Sequence, residues 1–282
     1  MTTVDAHQHF WDPARADYPW MTDDVAALRR AFRPDDLRPL LLAEGIERTV
    51  LVQTRSSFDE TVEFLALAER EAFVAGVVGW IDLASPAAAD DIARLQAAPG
   101  GSHLVGIRHQ VHDEPDAGWL GRADVRRGLA SVDQAGLPFD LLVRARELPA
   151  ALDLARAMPG LAFVVDHIAK PSIAAGELEP WLSRLLPLAQ LPNVTCKASG
   201  MVTQADPAAW TAADLRPYAD AVVEMFGPQR LMFGSDWPFC LVAASYPEVV
   251  GAARDLFGGL SVAEGARVFG GTAGQVYRLP VG

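Results

Sequence analysis

The sequence predicts an α/β protein, a (β/α)8 TIM barrel, and three observations carry that reading. Eight short apolar runs, mostly β-branched or aromatic and bounded by Gly, Pro or charge, recur along the chain and alternate with segments of helical spacing. Together they occupy about 250 residues, the usual length of such a barrel. No Gly-rich loop follows the first run, so the competing doubly wound sheet lacks its phosphate cradle.

The strand-like runs are VDAHQ (4–8), TVLVQT (49–54), FVAGVVGWID (73–82) and LVGIRHQV (104–111). The second half adds PFDLLV (138–143), LAFVVDH (161–167), NVTCKAS (193–199) and RLMFGSD (230–236). Helical spacing over 57–72 starts at Ser57 with Glu60 three residues on, a capping box. Ser85-Pro86 opens another helix with a cap and a proline at the first position. Segments 123–135, 147–158, 177–190, 207–226 and 246–257 continue the alternation, and 261–277, beginning SVAE, reads as a closing helix. No linker, repeat or low-complexity tract interrupts residues 1–282, which gives one domain.

Half of the 282 residues are hydrophobic, enough for a sizeable core. A net charge of −12 argues against nucleic acid or an anionic membrane surface as partner. No apolar run approaches the length of a membrane span, and the N-terminus lacks a secretory pattern. With only Cys196 and Cys240, a disulfide framework is excluded and a cytoplasmic location is expected. Oligomeric state leaves no mark in the sequence.

Barrel enzymes carry their chemistry at the C-terminal ends of strands, and the polar residues gather there. Run one ends in His7 and His9, two residues apart and so on one face of a strand. Run two ends in Gln53 with Arg55 beyond, run three in Trp80 and Asp82, and run four in Arg108 and His109. Run six ends in Asp166-His167, run seven in Lys197 and Ser199, run eight in Asp236. Three histidines and an aspartate could meet above the barrel. Imidazole and carboxylate suit zinc or a similar divalent ion. The same group without metal could polarise a carbonyl while the aspartate takes a proton from water.

The stretches VDAHQHFWD, FVVDHIAKP, CKASG and LMFGSDWPF together resemble the amidohydrolase superfamily, in its family 2, lactonase-rich branch. Within that branch the chain is most similar to L-fuconolactonases and related sugar-lactone hydrolases, most specifically through FGSDWPFCLVAASY (233–246). The resemblance implies an amidohydrolase-like barrel over nearly the whole chain. It also implies that His7 and His9 are the strand-one pair, His167 the third histidine and Asp236 the essential carboxylate. Binuclear members carry a bridging lysine or glutamate on strand four and histidines on both middle strands. Here run four ends in Arg108-His109 and run five has no histidine, so one metal ion, or none, is expected.

Hydrolysis of a sugar-derived lactone to its aldonic acid follows, in a pathway of carbohydrate catabolism. Asp236 would activate water, and Arg108, His109, Asp140, Lys197, Trp237 and Gln53 would bind substrate. Arg108 and His109 are adjacent, so one of them faces inward where the strand is regular. Asp140 would bind a hydroxyl or pair with Arg108; Lys197 would hold a carbonyl or carboxylate, or pair with a loop acid. His103 and His112 read as solvated. Few arginines at strand ends predict a neutral, hydroxyl-bearing substrate. The alternatives are a metal-dependent decarboxylase of the same superfamily and a non-catalytic barrel that binds a sugar acid.

Overall fold

In the computed structural model, which describes residues 1–280, eight parallel strands lie in one sheet in strict sequence order. They are β1 (Val4–Gln8), β2 (Arg48–Val52), β3 (Val74–Gly79), β4 (Leu104–His109), β5 (Phe139–Leu141), β6 (Phe163–Val165), β7 (Val194–Ala198) and β8 (Leu231–Phe233). The eight expected strands are all present, but most end before the apolar run does. Asp166, His167, Ser199 and Asp236 therefore lie in turns just past the strands, where the backbone can leave the pleat, whereas Asp140 and Lys197 stay inside β5 and β7.

Outside the sheet run α1 (Pro34–Glu44), α2 (Phe58–Ala68), α3 (Ala88–Ala97), α4 (Ala123–Gln134), α5 (Leu148–Ala157), α6 (Trp181–Ala189), α7 (Ala212–Phe226) and α8 (Tyr246–Phe257). Ser57 caps α2 as its sequence announced, accepting from the Glu60 amide. Ser85 instead accepts from the Ala87 amide in the turn before α3. Helix α1 falls where no helix was expected, because Pro39 inside it breaks the helical signal. The closing segment is two short helical turns, Val262–Ala266 and Thr272–Val276, joined by a π-type turn rather than one helix.

Two apolar layers result. The larger lies between sheet and helices; the smaller fills the barrel with Val4, Ala6, Val50, Val52, Val78, Val164 and Met232. Ala273, Tyr277 and Leu279 join the inner cluster, so the closing segment plugs the N-terminal end of the barrel. No described helix is long and apolar enough to cross a membrane.

Candidate active site at the C-terminal mouth

The last gap in the barrel builds the site. β8 forms no ladder with β1; the residues after β8 do the closing instead. The Asp236 amide donates to the His7 carbonyl at 2.8 Å, and the His9 amide donates to the Trp237 carbonyl at 2.7 Å. Asp5 braces the join: its Oδ1 accepts from the amides of His7 (3.1 Å) and Ser235 (2.8 Å), and Tyr246 donates to its Oδ2 (3.2 Å). Only glycine fits beside it at 234, since a Cβ there would sit 2.6 Å from that of His7. The β1–β2 ladder slips between Asp5 and Gln8, and Ala6 and His7 both reach the barrel interior. Without that bulge, alternation would turn His7 outward.

Four donor atoms converge at the mouth. His7 Nε2 and His9 Nε2 are 3.2 Å apart, and Asp236 Oδ1 is 3.3 Å from His9 Nε2. Asp236 Oδ1 is also 3.9 Å from the Nε2 atoms of His7 and His167. All four residues are buried. Tetrahedral ligands at zinc–nitrogen bond lengths stand about 3.3 Å apart, so His7, His9 and Asp236 are spaced to hold one ion, with His167 at its edge. His9 Nδ1 lies 2.7 Å from the Val52 carbonyl, which can only accept; Nδ1 therefore carries the hydrogen and leaves Nε2 bare for a metal. A second possible group, His7, Asp166 and His167, shares two of these histidines.

Electrostatics keep His7 and His167 neutral and the aspartate charged. Burial, above all, pushes His7 well below its usual range and His167 down to about 4. For Asp236 burial acts in the opposite sense, but the imidazoles of His167, His9 and His7 outweigh it and hold the carboxyl well below the carboxylate range. With His7 and His167 uncharged near neutrality, that support is chiefly hydrogen-bonding and dipolar. The backbone is strained where the chemistry gathers. Asp236 has φ 59°, and His167, Ile168, Ala169 and Lys170 form a left-handed run with φ between 47° and 61°.

Below the histidines lies a buried charged layer, in which Arg108 alone reaches the cavity above. Lys197 Nζ is 2.6 Å from Asp140 Oδ2, 3.0 Å from Asp166 Oδ1 and 3.2 Å from His7 Nδ1. Arg108 Nη1 donates to Asp166 Oδ2 at 2.9 Å and lies 3.2 Å from His7 Nε2. Tyr277, from the closing segment, donates to Asp140 at 2.8 Å. Burial raises Asp140 to about 6 against the pull of Lys197, whereas Asp166 overcomes burial through Lys197, His7 and Arg108 and stays well below the carboxylate range. Asp140 sits in register with Arg108, yet its partners are Lys197 and Tyr277; Arg108 takes Asp166.

A cavity of about 200 Å³ opens above the cluster, lined by His9, His167, Asp236, Arg108, Trp11, Trp20, Thr54, Gln110, His112, Asp113, Arg144, Lys170 and others. A larger cavity of about 390 Å³ lies beside α1 and α2 and touches none of the four donors, so it is not the reaction site. Of the residues expected to bind substrate, the cavity takes Arg108. His109 turns away, stacking on Trp119 at 4.3 Å and bonding Trp80 and Glu114. That settles which of the adjacent pair faces in. Asp140 and Lys197 lie in the layer beneath, Gln53 is buried against Arg108 and Gln110, and Trp237 packs on Phe10 and Phe32. His112 is not solvated as expected; only 12% of its side chain is exposed. Gln110, Arg144 and Lys170 went unseen because they lie past the strand ends, although Lys170 stands in the quoted stretch HIAKP.

The sequence profile of a family described as amidohydrolase matches residues 4–279. The L-fucono-1,5-lactonase of Burkholderia multivorans is 42% identical to the chain, over 98% of this chain and 96% of that protein. The enzyme of the same name from Burkholderia ambifaria is 41% identical, over 98% and 95%. The crystal structure of an amidohydrolase from Burkholderia multivorans with bound zinc superposes with a TM-score of 0.93 at 41% identity, over 99% of this chain and 100% of that one.

Proposed function

The chain belongs to the amidohydrolase family, and from that premise we propose that it hydrolyses a sugar-derived lactone of the L-fuconolactone kind to its aldonic acid. The observation that carries this reading is the convergence of three imidazoles and the Asp236 carboxylate under a cavity of about 200 Å³. That volume lies below the roughly 300–1,000 Å³ of drug-sized sites, which suits one small ring. Two relatives above 40% identity carry the name L-fucono-1,5-lactonase.

His7, His9, His167 and Asp236 would hold the metal; when bound, one divalent ion such as zinc polarises the lactone carbonyl and acidifies a water. The chain's own groups do the rest. Asp236, ionised, takes a proton from water as the water oxygen adds to the carbonyl carbon. Charge growing on the carbonyl oxygen meets the imidazoles and Arg108, fixed in place by Asp166 and the Gln53 carbonyl. Asp236 then returns its proton to the ring oxygen as the ring opens. Thr54, Gln110 and Asp113 line the cavity as hydroxyl partners, and Trp11 and Trp20 give it an apolar wall.

The test compares kcat/KM for L-fucono, L-rhamnono and D-galactono lactones with a pyrone dicarboxylate, a fatty γ-lactone and an aromatic acid. A sugar lactone should lead. Preference for the dicarboxylate or fatty lactone would refute the substrate class, and release of CO2 from the aromatic acid would favour a decarboxylase.

A further inference from the structure

The whole chain holds two lysines, Lys170 and Lys197, against twenty-two arginines. Both lysines lie at this site. Lys197 is spent on Asp140 and Asp166, but Lys170 lines the cavity with no ion pair or side-chain hydrogen bond among the described residues. Arg144, at the exposed rim of the same cavity, also has no acidic partner for its side chain among the described residues. A compact ammonium is what a confined wall can take where a guanidinium would not fit.

The backbone holds Lys170 there against its preference. It ends the left-handed run at φ 47° although it precedes Pro171, a position that favours extended backbone. At His112 both cations are felt: after burial, Lys170 and Arg144 are the chief causes that push its value down to about 3. Two acids share the cavity: Asp236, which favours the Lys170 ammonium against the cost of its burial, and Asp113, whose side chain is 64% exposed and faces His112 at 3.2 Å.

We propose that Lys170 and Arg144 form an anion seat that takes the carboxylate created when the lactone ring opens. This rests on the lactonase reading. In that reaction the water oxygen bonds to the carbonyl carbon and the ring carbon–oxygen bond breaks. The ring oxygen keeps the electron pair and receives the proton held by Asp236. The new carboxylic acid loses its remaining proton to solvent and becomes an anion. A neutral substrate thus becomes a charged product inside a protein of net charge −12, whose overall field repels it. Two unpaired cations at the cavity wall offset that repulsion.

The experiment measures binding of L-fuconate and of the uncharged alditol L-fucitol by calorimetry, alongside lactone hydrolysis, in wild type, Lys170→Met, Lys170→Arg and Arg144→Met. L-Fuconate should bind about 10-fold or more tightly than L-fucitol, and Lys170→Met and Arg144→Met should each remove most of that preference. Lys170→Arg should fail to restore it. Raising the salt concentration should weaken L-fuconate binding to wild type and leave L-fucitol unchanged, a readout that needs no variant to fold. Equal binding of the two ligands, or an unchanged preference in both methionine variants, overturns the seat even if lactone is hydrolysed. A charge-dependent L-fuconate site in a protein without lactonase activity keeps the seat and overturns the reading beneath it.

Discussion

His7 Nε2 and His9 Nε2 face each other at 3.2 Å, with the hydrogen of His9 committed to Nδ1 by the Val52 carbonyl. The Lys197 ammonium can only donate, so His7 Nδ1 accepts from it and the neutral His7 ring carries its hydrogen on Nε2, aimed at His9 Nε2 in the place a metal ion would take.

Zinc added to chelator-treated protein should therefore saturate at one ion per chain, because the group His7, His9 and Asp236 and the group His7, Asp166 and His167 both need His7. His9→Asn should weaken that binding by at least about 10-fold. Equilibrium dialysis with metal analysis reads both quantities, and two ions about 4 Å apart in a crystal structure would refute the one-ion site.

Asp236→Asn keeps the size of the side chain and its backbone bond to His7 but removes the proton acceptor. Turnover should fall about 100-fold or more while the melting temperature stays close to wild type. Near-normal turnover would take Asp236 out of the reaction.

Lys197→Met leaves Asp140 and Asp166 facing each other without the cation that separates them. Removing one member of a buried ion pair costs about 3–5 kcal/mol. Tyr277→Phe, which deletes only the hydroxyl on Asp140, should cost about 1–3 kcal/mol. Urea denaturation ranks the two; a smaller loss for Lys197→Met than for Tyr277→Phe would mean the charged layer is held by the tyrosine instead.

His112 carries a pH signature. Burial, Lys170, Arg144 and Arg108 push its value down to about 3, while the Leu142 carbonyl pulls upward and Asp113 lies alongside. A histidine depressed in the folded state binds protons more readily when unfolded. Its contribution is thus full above about pH 6.5 and is lost as pH falls toward 3. His112→Gln should flatten the stability decline between pH 6.5 and 4, and proton NMR should find the wild-type ring neutral at pH 5. A ring that titrates near 6.5 would contradict this.

Much of this site was readable from residue order alone, and the limits are physical. His7, His9, His167 and Asp236 were legible because ionisable residues at the ends of apolar strands have few other reasons to be there. The partner of Asp140 was not, because Lys197 comes from a strand two places round the barrel and only the stagger of the barrel brings them together. His109 and Arg108 are equivalent in sequence; Trp119, ten residues on, captures the first by stacking. Arg144 and Lys170 lie in turns, where no periodicity says which way a side chain points. Helix α1 was hidden by a proline that the helix tolerates near its middle.

The hydroxyl of Tyr277 reaches an aspartate made 137 residues earlier, and Tyr246 reaches another made 241 residues earlier. Both contacts span much of the sequence, so the barrel is plugged at Asp140 and closed against His7 only when residues far apart along the chain have met. Closure of that kind is slow, because the entropy of bringing distant segments together is lost before the contacts that reward it are made.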